Sequence, residues 1–195
     1  MILIVHTIFS TLALLAVKLI KEAKKKGLNV SCSVSAHHLI LTDNELDSFD
    51  SNVKVTPPLR TKNDTKALLK GVKDGVIDII TSDHNPIDIE HKKLEFSHAE
   101  FGTIGLESLF GAINSVLDLE TIIKALTIQP RAIFNQESTT IKKDSTANLT
   151  LFNPDGTSIF LNENILSTSK NSAFLGKKLK GKVYGVFANK KLVLN

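Results

Sequence analysis

The chain has 195 residues, of which 42% are hydrophobic and 23% are charged, and its formal net charge is +4. This composition is typical of a globular domain with a sizeable core, and it excludes a disordered or fibrous chain. Arginine occurs only at Arg60 and Arg131, and no basic patch is interleaved with aromatic residues, which argues against nucleic-acid binding. The single cysteine, Cys32, excludes an internal disulfide framework and favours a reducing compartment such as the cytoplasm.

The first twenty residues are apolar enough to raise the question of a signal peptide or membrane anchor. No basic segment precedes the apolar run and no small-residue cleavage site follows it. The polar residues that interrupt the run are His6, Ser10, Thr11 and Lys18. We therefore expect no membrane association, but a buried strand at residues 2–5 followed by an amphipathic helix. Ser10 or Thr11 is the expected cap of this helix, and Gly27 is expected to end it.

Strands and helices then alternate along the chain. Residues 30–34 predict a second strand that runs on into Ala36-His37-His38-Leu39. Thr61 with Asp64 predicts the capped start of the next helix, and residues 76–80 form a third apolar strand. This alternation is typical of a parallel sheet. On a strand, adjacent side chains point to opposite faces, so His37 and His38 are predicted to be structural residues and not joint ligands of one metal.

The remainder of the chain divides into a helical part and a β-rich tail. Residues 87–98 are polar and predict a loop, Asp118 predicts the cap of a helix over residues 119–126, and residues 127–135, with Pro130, are expected to end the α/β part. From residue 141 onward the pattern alternates, with a predicted turn at residues 153–156 and a predicted terminal hairpin. We predict an α/β domain over residues 1–140 and a small β domain over residues 141–195.

The stretch most informative about function is residues 78–86, DIITSDHNP, where a short apolar run ends abruptly in polar residues. It predicts a buried parallel strand that opens at its carboxyl end into a polar loop. In α/β barrels, chemistry is placed at this end of the strands, the barrel mouth. Asp83 could hold a metal there or carry a proton, or it could merely cap a turn before Pro86.

Several short motifs occur in an order that resembles the C-terminal half of a dihydroorotase of the amidohydrolase superfamily. Each motif is weak by itself, but their order and spacing together are specific, and they cover nearly the whole chain. The motifs are Ser10-Thr11, AHHL at 36–39, TPPLR at 56–60, DGVIDIITSDHNP at 74–86, GLES at 105–108 and KNSAFLG at 170–176. The last five resemble, in this order, the family patterns P-H-H-L, N-P-P-L-R, D-G-x-I-D-x-I-x-T-D-H-A-P, G-L-E-T and N-S-P-F-x-G.

The resemblance implies the C-terminal part of a (β/α)8 barrel, about three β/α units, followed by a small β-rich domain. It also implies zinc-dependent hydrolysis of the cyclic amide of dihydroorotate, a reversible step of pyrimidine biosynthesis in the cytoplasm. Asp83 matches the family aspartate that binds the metal and carries the proton. Thr56, Phe101 and Gly102 match positions that contact substrate, although Phe101 could equally pack beneath the loop.

The chain also departs from the family pattern. Ile8 stands where the family has a metal-binding histidine, and an isoleucine cannot coordinate zinc. His6 lies two residues upstream and is a candidate ligand only if the strand slides or bulges. Thr56 replaces a substrate-binding asparagine, and Ile87 replaces a histidine. The family's other ligands belong to earlier strands that have no match in these residues.

Two interpretations follow from these residues. The first is an incomplete dihydroorotase in which Asp83 serves as base and ligand, working with a complementary barrel half. The second is a non-catalytic dihydroorotase-like scaffold, for example a partner of aspartate transcarbamoylase or a homo-oligomer. Ile8, Thr56 and Ile87 favour the second interpretation over simple truncation, because truncation does not alter the residues that remain.

Overall fold

A computed structural model describes residues 8–10, 13–137 and 140–194. The strand predicted at residues 2–5, the candidate ligand His6 and the candidate cap Thr11 lie outside the described residues. Within the described ranges, each helix is too short or too polar to cross a lipid bilayer.

Three parallel strands form the first sheet. They are β1 (Ile8–Ser10), β2 (Ser31–Ser35) and β3 (Ile79–Thr81), and β2 lies in the middle. Helix α1 (Leu14–Lys25) connects β1 to β2, and α2 (Lys62–Lys73) precedes β3. The predicted parallel pairing is confirmed for β2 with β3. β1 also pairs in parallel, but it lies at residues 8–10, where the sequence predicted the start of the helix and not a strand.

The two long helices share one carboxylate at their N-terminal ends. Thr61 caps α2 by accepting the Asp64 backbone N–H at 3.3 Å. Asp64 in turn accepts the backbone N–H of Leu14, the first residue of α1, at 3.0 Å. The prediction that Ser10 caps α1 is wrong, because Ser10 belongs to β1 and the carboxylate arrives from α2 instead. This bond, followed by the one from Thr61, lowers the pKa of Asp64.

The later helices differ from the predicted ones in length or in where they end. They are α3 (Ile89–Lys92), α4 (Leu109–Ile113), α5 (Leu119–Ile123) and α6 (Gln129–Ile133). Asp118 caps α5 as predicted, accepting the Thr121 N–H at 2.9 Å. The predicted end of this helix at residue 126 is wrong, because a π-helical segment (Lys124–Ile128) joins α5 to α6 and leaves Pro130 in the first turn of α6. A proline is tolerated there, where its missing N–H is not needed.

The tail forms an antiparallel sheet in the order β4 (Leu149–Ile159), β5 (Lys178–Ala188) and β6 (Lys191–Leu194). The terminal hairpin is confirmed, with both turn residues in the left-handed conformation. The turn predicted at residues 153–156 is wrong. Those residues stay within β4 as a bulge, because the Asn114 side chain donates to both Pro154 O and Lys180 O and so holds the two strands together.

Two hydrophobic clusters fill the interior. The first lies between the parallel sheet and its helices, and its buried members include Val34, Leu68, Ile80, Ile113 and Ile122. The second combines residues from both sides of position 140, among them Val55, Ile104, Phe160, Phe174 and Leu179. The boundary at 140 stays a prediction, and the two parts of the chain share an apolar core across it.

We predict that the Lys24–Asp78 pair is the ion pair on which the first sheet most depends. Lys24 Nζ binds both Asp78 carboxylate oxygens, at 2.7 and 2.8 Å, and Asp78 also accepts the Cys32 N–H at 2.9 Å. In Asp78→Ala, the largely covered Lys24 ammonium keeps only backbone acceptors such as Val76 O, and the Cys32 N–H loses the carboxylate, so the free energy of unfolding should fall by about 3 kcal/mol.

The measurement is urea unfolding of this variant beside Glu22→Ala. Glu22 pairs with Lys25 on the exposed surface of α1, so its loss should cost less than about 0.5 kcal/mol. Equal losses in the two variants would contradict the assignment.

Candidate active site

Asp83 lies at the carboxyl end of the parallel sheet, two residues after β3. Its backbone is left-handed, with φ 48°, and 45% of its side chain is exposed. Ser35, the last residue of β2, donates its hydroxyl to Asp83 Oδ2 at 3.2 Å. The ends of two adjacent strands therefore meet at one carboxylate, which faces the open edge of the sheet.

The buried side chain of His37 lies near the same carboxylate oxygen. Its Nε2 lies 3.7 Å from Asp83 Oδ2, its side chain is 2% exposed, and Nε2 has no hydrogen-bond partner. The prediction that His37 and His38 extend a strand is wrong: they belong to a 3-10 helix (Ala36–Leu39). A 3-10 turn rotates successive side chains by about 120° and not 180°, so the two rings lie against one another, with centroids 4.3 Å apart.

Burial keeps both imidazoles uncharged. It lowers the pKa of His37 to about 3, with a smaller contribution from His38, and it also lowers the pKa of His38. His38 Nε2 lies 3.1 Å from Pro57 O, so Nε2 carries the proton and donates it to that carbonyl. The contact between His37 and Asp83 at neutral pH is therefore one between a neutral ring and a carboxylate.

The loop after Asp83 is clamped by the segment at residues 103–106. His84 Nδ1 accepts the backbone N–H groups of Gly105 and Leu106, at 3.2 and 3.3 Å. Gly105 packs so closely on Ser82 O that a side chain at this position would collide with it. His84 is thus a structural acceptor whose ring anchors the strand end that presents Asp83.

The predicted substrate residues Phe101 and Gly102 lie on the next segment of this edge. Gly102 N donates to Lys54 O at 2.9 Å, and a side chain at Gly102 would meet the Asn85 amide 2.6 Å away. Phe101 is half exposed and its ring covers the Lys54 ammonium, 4.7 Å from the centroid. If Phe101 has a packing role and not a substrate contact, that role is this cation–π contact with Lys54.

Thr56 is exposed and follows Lys54 by two residues. Hydrogen bonds tie Phe101 and Gly102 to chain neighbours of Asp83 and Thr56: the Asn85 side chain donates to Phe101 O at 3.3 Å, and Gly102 N donates to Lys54 O. Within the described ranges, none of the four predicted residues is itself hydrogen-bonded to another.

Two buried lysines beneath this edge were missed by sequence reasoning. Lys54 Nζ donates to Ser97 O at 3.0 Å and Lys92 Nζ to Glu100 O at 2.9 Å, so both hold the loop that carries Phe101. Burial, and then the charge of Lys54, lower the pKa of Lys92 to about 8. Sequence reasoning could have found Lys54 from its position between two valines, Val53 and Val55, both of which are buried in the structure.

The described residues do not fit a zinc site. Within them, no three His, Cys, Asp or Glu side chains are grouped so that they could hold a metal ion. Asp83 has one imidazole beside it, that of His37, whose Nε2 is shielded from solvent. Ile8 occupies the first position of β1, and His6 lies outside the described residues. A zinc ion of the kind that the resemblance implies would need ligands from other strands.

No family model matches the chain, but curated relatives do. It is 40% identical over 184 residues to a dihydroorotase of Caldicellulosiruptor saccharolyticus, a match that covers 91% of this chain and 43% of the relative. It is 42% identical over 172 residues to a dihydroorotase of Carboxydothermus hydrogenoformans, covering 85% of this chain and 40% of the relative. The chain thus spans about two fifths of the length of these relatives.

Solved structures of two related kinds share the fold. The L-hydantoinase of Arthrobacter aurescens matches with a TM-score of 0.86 and 23% identity, covering 95% of this chain and 44% of that protein. An inactive dihydroorotase-like domain of a CAD-like multifunctional protein from Chaetomium thermophilum matches with a TM-score of 0.71 and 22% identity, covering 96% and 50%. The predicted fold, the C-terminal part of a (β/α)8 barrel with a small β-rich domain, is confirmed.

We predict that stability falls in acid because of His37. Its pKa is about 3 in the folded chain and 6.5 when unperturbed, so between these values the unfolded chain binds a proton that the folded chain does not. The free energy of unfolding should therefore decrease as the pH falls below 6.5, by about 1.4 kcal/mol per pH unit from this group.

Urea unfolding at a series of pH values measures this slope. His37→Gln should have a shallower slope between pH 6 and pH 4, roughly the range in which only the unfolded imidazole titrates. His91→Gln, on the exposed surface, is the matched control and should follow the unsubstituted chain. Parallel curves for His37→Gln and the unsubstituted chain would refute the assignment.

Proposed function

We propose that this chain is a C-terminal half of a dihydroorotase-family fold and that it supplies Asp83 to a cyclic-amide hydrolase site, a proposal that its identity to curated dihydroorotases supports. The substrate in this proposal is dihydroorotate or, in the reverse direction, carbamoyl aspartate, within cytoplasmic pyrimidine biosynthesis. Residues 1–140 supply the barrel part and residues 141–195 the small β domain. The described residues alone do not catalyse this reaction.

The observation that carries the proposal is the placement of Asp83. It stands at the carboxyl end of β3 with its side chain partly exposed, and Ser35 and His37 approach one of its two oxygens. A carboxylate held in this way can take a proton from an attacking water and return it to a leaving nitrogen. Thr56, Phe101 and Gly102 are the proposed substrate contacts, on the resemblance of their motifs to the family.

The described residues lack parts that this reaction needs. β1 and β3 are the two edges of a three-stranded sheet, so in the described ranges one side of each strand has no neighbouring strand. Leu15 and Leu19 on the outer face of α1 are 68% and 63% exposed. Such edges and apolar faces favour association with further β/α units, supplied by a complementary barrel half.

A non-catalytic scaffold is the second candidate, and specific substitutions favour it. Ile8 has no group that can bind a metal, and Ile87 has no polar side-chain group to bind a substrate. One structural neighbour is itself described as an inactive dihydroorotase-like domain of a multifunctional protein. In this candidate the exposed edges bind a second copy or another enzyme of the pathway, such as aspartate transcarbamoylase.

The two candidates are separated by a complementation experiment. The part of the Carboxydothermus hydrogenoformans dihydroorotase that this chain does not match is produced together with the chain, as itself or as Ile8→His/Thr56→Asn/Ile87→His. We expect the triple variant to hydrolyse dihydroorotate, and Asp83→Ala in that background to lower the rate at least about 100-fold.

Asp88→Ala is the matched control, because Asp88 is an exposed carboxylate that caps α3 five residues further along the chain. Its rate should stay close to that of the triple variant. If the complex forms and the triple variant has no turnover, the enzymatic proposal fails and the scaffold candidate gains. If the two parts do not associate at all, the enzymatic proposal fails, because it requires a complementary barrel half.

We also predict that the chain purified alone holds well below one zinc per molecule after dialysis. One carboxylate leaves the ion mostly hydrated, and its bound water keeps a pKa near about 9 instead of about 7. Metal analysis of the chain and of Asp83→Ala measures this, together with an assay on dihydroorotate. One zinc per chain, lost in the variant together with turnover, would show that His6 or another group completes a site.

A further inference from the structure

Asp83 requires support that its own segment does not provide. Its side chain is 45% exposed, and its backbone adopts the left-handed conformation that few residues other than glycine adopt readily. An aspartate in such a position samples several side-chain rotamers unless neighbouring groups hold it. The Ser35 hydroxyl makes one hydrogen bond to Oδ2, at 3.2 Å, and this single neutral donor leaves the carboxylate free to turn.

Among the described residues, His37 presents a buried, unpartnered polar atom to the Asp83 carboxylate. Its side chain is 2% exposed, and Nε2 has no hydrogen-bond partner, a state that buried polar atoms in folded proteins rarely retain. Asp83 Oδ2 lies 3.7 Å from this nitrogen, so a small rotation of the aspartate side chain closes the distance to that of a hydrogen bond. Solvent does not reach Nε2, which favours a contact with Asp83 over coordination of an ion.

We propose that His37 is a positioning residue for Asp83: its Nε2–H donates to Oδ2, and together with the Ser35 hydroxyl it leaves Oδ1 as the oxygen that exchanges a proton. The inference deepens the proposed function and takes its chemical meaning from it. The contact between His37 and Asp83 lies entirely within the described residues. It can therefore be tested by NMR, without an activity assay.

The surroundings of His37 suit this role. Its ring is shielded from solvent, so protein neighbours alone set its orientation. His38, whose Nε2 lies 3.1 Å from Pro57 O, packs against His37 and fixes its ring from the other side.

The first test reads the tautomer of His37 by long-range proton–nitrogen NMR of the chain with labelled imidazoles. We expect the proton on Nε2 in the unsubstituted chain, and a mixture of both tautomers in Asp83→Ala, where the acceptor is removed. His38 should keep its Nε2 proton in both, since its acceptor, Pro57 O, is unchanged. A His37 tautomer that does not respond to Asp83→Ala would overturn the proposal.

The second test reads the side-chain rotamer of Asp83 from its three-bond couplings to Cγ. His37→Gln places an amide N–H near the position of Nε2 and should keep a single rotamer, whereas His37→Leu should average over several. Ser35→Ala should produce a smaller loss of order, and His91→Gln is the control. Equal rotamer order in the Gln and Leu variants would refute the positioning role.

Each NMR test can be interpreted if the other fails, and neither depends on the proposed function. If His37→Leu does not fold, the Asp83→Ala tautomer measurement still decides, because that variant alters an exposed side chain. If complementation yields no turnover but both NMR results hold, the positioning of Asp83 stands and the enzymatic proposal alone fails. If turnover appears but the tautomer of His37 ignores Asp83, the proposed function stands and this inference fails.

Discussion

The parallel pairing of β2 with β3 is the constraint on which the candidate site depends. Its register sets Ser35 opposite Thr81, so both strands end at the same level. The residues that follow, His37 on one side and Asp83 on the other, are brought together although 46 positions separate them in the chain. A shift of this register by one residue would turn Ser35 to the opposite face and remove its hydrogen bond to Asp83.

The β-rich tail contributes to the same edge by satisfying buried polar groups. Asn171 donates to Asn85 O and Gly102 O, at 3.1 and 3.3 Å, and accepts the Ile87 N–H at 3.3 Å. Thr103 donates its hydroxyl to Asn171 O and accepts the Ala173 N–H at 2.8 Å. Because unpaired backbone groups are costly when buried, these bonds make the tail a structural requirement for the loops that surround Asp83.

The described chain combines close packing with apolar residues at two positions where the family resemblance predicts polar ones. The close contact of Gly105 with Ser82 O and the Lys24–Asp78 pair maintain the packing of strands and loops. Ile8 and Ile87 stand where the family resemblance predicts imidazoles. Neither isoleucine has a side-chain group that can bind a metal or hydrogen-bond a substrate.

The sequence by itself determined the order of elements, the parallel and antiparallel sheets, the terminal hairpin and the position of Asp83 after a buried strand. These follow from local patterns: apolar periodicity, capping residues such as Thr61 and Asp118, and a turn pair at Asn189-Lys190. Only the tertiary structure decided that Asp64 caps α1, that Pro130 continues a helix and that residues 153–156 form a bulge. It also decided that His37 turns toward Asp83. Each of these depends on a partner distant in sequence or on a change of helical register, and no local pattern specifies either.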